Sequence, residues 1–142
     1  MGIRMKIEGN EIINLVETSI TAIKFGADIP HDSNARSTDL GSTVLVEGKI
    51  LAAVGGEAAD DTSKIARWSL VAAEDSDCYR KVEITVVSAS QVVRQISIPN
   101  AFVVGYEEDF ADESGIGIFR LLMKQKKDKM SNLKFEGGFA GE

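Results

Sequence analysis

His31 is the one histidine of this 142-residue chain, and Asp28 and Asp32 stand close beside it. An imidazole among carboxylates is raw material for a metal centre or a general base. The count excludes a zinc site built on several imidazoles. The three residues also fall in GADIPHDSNARSTDLGS, residues 26–42, which has almost no apolar periodicity. Side chains in such a stretch are expected to be solvated, not gathered around a cation. A Ser-His-Asp relay would have to use His31, next to Pro30, and no G-x-S-x-G elbow presents a serine. Cys78, the only cysteine, has Asp75 and Asp77 as neighbours, which oppose a thiolate.

Other motifs are equally plain. Gly55-Gly56 and Gly137-Gly138 lack the spacing and the lysine of a phosphate cradle, so they read as turn punctuation. Glu107, Glu108, Asp109, Asp112 and Glu113 form an acidic patch without the alternating ligand spacing of a calcium loop. It reads as a solvated strand end. No catalytic residue, metal site or cofactor is expected.

Charge narrows the partners. The chain has 16 basic and 22 acidic residues, a net of −6. A duplex binder needs a basic face to displace counterions, and an anionic membrane attracts the same sign. Sequence-specific nucleic-acid binding and membrane association are therefore not expected. With one cysteine no intrachain disulfide forms. MGIRMKIEG has no apolar core of signal-peptide length, so the expectation is synthesis in the cytoplasm without a cleaved signal.

The elements that must position any functional surface are mostly strands. Residues 79–125 read as four consecutive strands with short links. Val82, Ile84 and Val86 alternate with polar residues, as do Ile96 and Ile98. Phe102, Val104 and Tyr106 form the row of a third run. Ile116 and Ile118 oppose Phe119, Leu121 and Met123 in a fourth. Ser88-Ala89-Ser90, Pro99-Asn100 and residues 111–115 supply the breaks, and links this short favour an antiparallel meander.

Upstream, Ile3–Ile7 alternates as a strand, and Gly9-Asn10 marks a tight turn. Residues 11–25 form a second run whose inward parity changes between Leu15 and Ile20, which a bulge near Glu17–Ser19 would explain. Residues 43–54 alternate again, with Gly48 at a close approach or bulge. Ile65, Trp68 and Ala72 recur at helical spacing, predicting one helix over 62–73 behind the N-cap candidates at 60–63. The fold expected is mainly β (α+β): a small antiparallel β-barrel or two packed sheets with one flanking α-helix. Residues 1–125 make the domain. Residues 126–142, KKDKMSNLKFEGGFAGE, make a C-terminal extension, either flexible or ordered against another chain.

Several strands carry apolar residues on both faces. Leu45 and Leu51 oppose the Val44 row, and Phe119, Leu121 and Met123 oppose Ile116 and Ile118. A lone small barrel needs one apolar face, so the surplus points to subunit packing through Leu45, Leu51, Phe119, Leu121 and Met123. A short open sheet also leaves edges to be paired, and self-assembly would satisfy both needs.

This order of elements resembles the tail-tube family of contractile phage tails, pyocins and type VI secretion, which includes the hemolysin-coregulated protein. The resemblance spans most of residues 1–125. It is carried by the order of strands, loop and helix, and by AFVVGYEEDF at 101–110 followed by GIGIFRL at 115–121. It implies a barrel with a helix at its side, assembled as six-fold rings stacked into a tube, with sheath or baseplate proteins as further partners. It implies inter-ring contacts by His31, Asp32, Asn34, Arg36 and Asp39, and a polar strand face lining the lumen. Such a subunit would end in a phage-like particle or leave the cell through a dedicated apparatus. The competing reading is a monomeric β-sandwich or barrel module binding carbohydrate or peptide, which needs a cleft lined by exposed aromatics. A small hydrolase built on His31 is the third.

Overall fold

A computed structural model describes residues 1–28, 41–50, 62–72, 74–113, 116–125 and 134–137. The described strands are β1 (Gly2–Glu8), β2 (Ile12–Leu15), β3 (Ile20–Asp28), β4 (Gly41–Ile50), β5 (Arg80–Ser88), β6 (Gln91–Ala111), β7 (Ile116–Gln125) and β8 (Lys134–Gly137). One helix, α1 (Thr62–Ser69), and a 3-10 turn over Ser76–Cys78 complete the described elements. All strands belong to one antiparallel sheet, in the order β2-β1-β5-β6-β7-β4-β3, with β8 also on β6.

The terminal strands of that order, β2 and β3, are joined by only four residues, Val16–Ser19. Both ends of the sheet must therefore come together, and the sheet curls around a single core. No ladder joins the two ends among the described residues, so the barrel is not hydrogen-bonded shut. Fold class is as the alternation of side chains predicts, while the meander expected as four strands is made of three, β5-β6-β7. A single sheet, not two packed ones, carries the fold.

The core is the inward row of each strand. Met5, Ile7, Ile13, Leu15, Val44, Val46, Val82, Ile84, Ile96, Ile98, Phe119, Leu121 and Met123 are all buried in one cluster. Helix α1 caps it with Ile65 and Trp68. The helix ends at Ser69, shorter than the 62–73 expected, and the chain leaves it through i→i+3 bonds, Leu70 N–H donating to Arg67 O at 3.1 Å and Val71 N–H to Trp68 O at 3.0 Å.

The strands differ from expectation in where they end and where their register shifts: β3 runs on to Asp28 and β4 begins at Gly41, inside the stretch expected as a loop. Residues 17–19 form a turn, not a bulge, with Ser19 N–H donating to Val16 O at 3.0 Å. The parity change is thus the mark of two strands lying at opposite ends of the sheet order. The break expected at Pro99-Asn100 is instead a bulge inside the 21-residue β6: Val82 pairs with Ile98 but Arg80 pairs with Ala101. The loose Asn100 N–H is taken up by Oε1 of buried Gln125 at 3.0 Å. A second shift lies between Val103 and Gly105, opposite Met123 and Leu122. Val104 is the extra residue and is exposed, so Val103 and Tyr106 face inward, not the row Phe102, Val104, Tyr106.

Gly48 is where β4 passes closest to the turn before β3. A Cβ there would lie 2.2 Å from Ser19 O and 2.5 Å from the Phe119 ring, while Lys49 N–H donates to the same Ser19 carbonyl. The close approach read from this glycine is present.

One buried ion pair braces the end of the barrel. Arg80 and Asp77 have nearly inaccessible side chains and are joined by a charge-assisted hydrogen bond at 2.5 Å. Asp77 Oδ1 also accepts from Asn10 N–H at 2.9 Å, tying the β1–β2 turn to the 3-10 turn. Arg80 lies 5.4 Å from the centre of the Trp68 ring, whose Nε1–H donates to Cys78 O at 3.0 Å. Burial pushes the Asp77 carboxyl up, but the hydrogen bonds from Arg80 and Asn10 and the Arg80 charge outweigh it and hold the group below its usual value of 3.8.

Candidate assembly surfaces

Inward positions being filled by the core, function has to be sought on the outward face of the sheet. That face divides into two zones of different chemistry.

The first zone covers β1, β5 and the first half of β6. Its outward side chains include Arg4, Lys6, Lys81, Glu83, Thr85, Gln95 and Ser97, set by strand alternation against Met5, Ile7, Val82, Ile84 and Ile96. Opposite charges are paired locally: Lys6 with Glu8 at 3.0 Å and Lys81 with Glu83 at 3.0 Å. The hydrogen bond from Lys6, with its charge, lowers the Glu8 carboxyl. The hydrogen bond and charge of Glu83 raise the Lys81 ammonium. Pairs this exposed are screened by water, so their effect is on surface character and not on stability. Two shallow grooves lie on this zone, one of ≈ 390 Å³ of mixed lining that reaches Leu15 and Val16, and a polar one of ≈ 220 Å³ lined by Lys81, Glu83, Gln95, Ser97 and Glu136.

The second zone covers β4, β7 and the second half of β6. Ile116 and Ile118 remain 44% and 47% exposed at the start of β7, and Leu45 and Leu122, paired across β4 and β7, are half-buried further along. Gly105 leaves a notch over Leu122, part of a groove of ≈ 310 Å³ also lined by Leu45, Tyr106, Glu107 and Arg120. Arg120, outward on β7 between Ile118 and Leu122, reaches Glu47 at 3.5 Å and Glu107 at 3.9 Å, so a charged row separates two small apolar patches. This zone is where the surplus of apolar residues emerges.

The residues expected to pack subunits separate accordingly. Leu45 lies in the second zone. Phe119, Leu121 and Met123 have no accessible surface and belong to the subunit's own interior. Their outward neighbours Ile118, Arg120 and Leu122 hold the exposed positions. Leu51 lies outside the described residues, as do His31, Asp32, Asn34, Arg36 and Asp39. Sequence reasoning missed Leu122 because it interrupts strict alternation: Leu121 and Leu122 are both apolar, and only the register shows which faces out.

For chemistry the described residues provide little. No group of three His, Cys, Asp or Glu side chains converges as a cation cage among them. Cys78 is buried. Trp68, the largest potential stacking platform, is also buried, and Tyr106 is laid against Phe119 with ring centres 6.4 Å apart. Among the described residues no helix is long and apolar enough to cross a membrane.

No family model and no curated protein sequence matches the chain. Solved structures do. Hcp1 from Flavobacterium johnsoniae aligns over 97% of this chain and 97% of its own, with a TM-score of 0.58 and 12% identity. A chain of the anti-feeding prophage baseplate, a 6-fold symmetrised assembly, aligns over 96% and 93%, with a TM-score of 0.57 and 12% identity. A chain of the sheath-tube complex of an extracellular contractile injection system aligns over 96% and 88%, with a TM-score of 0.52 and 10% identity. The fold is therefore shared, from end to end, with chains of phage-tail-like and contractile injection assemblies.

Proposed function

We propose that this chain is a structural subunit of a phage-tail-like tube or contractile injection apparatus, assembling into stacked hexameric rings without catalysis. The observation that carries the reading is the end-to-end fold likeness to chains of the anti-feeding prophage baseplate and of a sheath-tube complex. The two-zone outer face supports it. The two apolar patches, Ile116 with Ile118 and Leu45 with Leu122, supply contact surface for a copy of the chain or for a sheath or baseplate protein. The polar zone, with its charges already paired, suits a lumen along which cargo passes without adhering. In this reading His31, Asp32, Asn34, Arg36 and Asp39 contact the adjacent ring, and the subunit ends in a phage-like particle or is exported by its apparatus.

Deletion of residues 30–39 tests the reading. Sedimentation of the variant should give rings that no longer stack, with the subunit still folded by circular dichroism. A variant that stacks like the parent chain would contradict the inter-ring role, and one that cannot fold would mean that the deleted residues are needed by the domain itself.

A further inference from the structure

β8 occupies a particular place. β7 pairs along the β6 edge as far as Gln125 opposite Ala101, and β8 resumes on β6 with Lys134 opposite Ser97. Because β5 holds the other edge at Ser97, β8 lies on the edge used by β7 and continues its line. Between those two pairs β6 spends four residues and the opposing line spends nine. Four strand residues cover about 13 Å, whereas nine extended residues reach about 30 Å. The tether is more than twice as long as its seat requires.

The seat itself has to be filled. Phe135 lies opposite Ile96, a core residue, and meets Phe25 of β3 edge-on with ring centres 4.7 Å apart. This contact links β8 to the strand at the far end of the sheet order. Gly137 fits because its backbone approaches Val93 so closely that a Cβ would lie 2.5 Å from the Val93 carbonyl oxygen. The seat is thus matched to this segment. Yet the ladder is only four residues long, and Phe135, Glu136 and Gly137 are exposed. So short a ladder with so little burial belongs to the low-stability end of a fold, where local opening is easy.

We propose that the β6 edge at Arg94–Ser97 is a strand-exchange site, which in an assembly of copies receives Lys134–Gly137 from a neighbouring subunit. The inference rests on the self-assembly proposed above. Donor and host are the same sequences in both arrangements, so exchange keeps every contact of the seat and adds a link between subunits. The surplus length of the tether provides the reach.

The register names the test. Gln95 and Glu136 are opposite each other, and neither is in the core. Full-length Gln95→Cys and Glu136→Cys chains are mixed, assembled at high concentration, inspected by electron microscopy and oxidised, with each single variant oxidised alone as control. Exchange predicts a covalent dimer on non-reducing gels that is abundant only in the mixture. In the Gln95→Cys/Glu136→Cys double variant it predicts an intrachain link in dilute monomer and interchain links in assemblies. Assemblies with only intrachain links in the double variant and no mixed dimer would overturn the exchange while leaving assembly intact. Chains that never assemble would overturn both.

Discussion

The backbone N–H of Asn100 donates to the side-chain carbonyl of Gln125 at 3.0 Å, in a site where Gln125 is almost wholly buried. The bond explains how one 21-residue strand survives a proline in its middle. Pro99 cannot donate to the ladder, and the bulge around it frees the next N–H. Gln125, at the end of β7, replaces the missing ladder acceptor. An unsatisfied buried N–H costs about 1–3 kcal/mol. Gln125→Leu should lose about that much in denaturant unfolding, with little change in volume. A neutral substitution would mean water reaches Asn100 without help.

The Asp77–Arg80 pair predicts an acid-sensitive fold. The Asp77 carboxyl sits below its ordinary value in the native state, so the native state favours the ionised form. That stability is fully present above the unfolded value of about 3.9 and is lost as pH falls through the lower folded value. In a Tm series from pH 6 down to pH 2, Asp77→Asn should be less stable than the parent chain near neutrality, and the gap should narrow below about pH 4. Removing one member of a buried pair costs about 3–5 kcal/mol, so Asp77→Ala should be severe. A gap independent of pH would assign the loss to packing alone.

The hairpin between β5 and β6 is strained. Ala89 and Ser90 have φ of 53° and 66°, the two consecutive positive values of a type I′ turn, which Asn-Gly satisfies best. Ala89→Asn with Ser90→Gly should stabilise the chain by about 0.5–1 kcal/mol, read as a higher Tm. An unchanged or lower Tm would show that the turn carries no strain.

The two faces of β7 should respond in opposite ways. Phe119→Ala removes a fully buried ring and should cost about 3–5 kcal/mol of stability, whatever the assembly state. Ile118→Asp lies outward and half-exposed; it should leave the monomer's Tm nearly unchanged and lower the assembled fraction in sedimentation. Equal assembly by Ile118→Asp would remove the Ile116–Ile118 patch from the contact surface.

Much of this fold could be read from side-chain alternation, and the failures have physical causes. Rows such as Val82, Ile84 and Val86 each sit on one face because a strand has a period of two. Ile13 and Ile20 read as parts of one run because apolar spacing carries no record of a four-residue turn, and only pairing shows that β2 and β3 lie at opposite ends of the sheet. Pro99 reads as a stop because the acceptor that rescues the next N–H, Gln125, is 25 residues beyond Asn100. The outer face was legible only as a surplus of apolar residues. Which of two apolar rows faces out depends on where the core closes, and that assigned Phe119 inward and Ile118 outward. β8 was hidden because four residues with one aromatic carry no periodic signal.

Electron microscopy of the purified full-length chain at high concentration bears most directly on the central claim. Ring-shaped particles with six-fold symmetry, some stacked into tubes, are the predicted result. Particles no larger than a monomer at every concentration, matched by a single monomeric boundary in sedimentation, would contradict it.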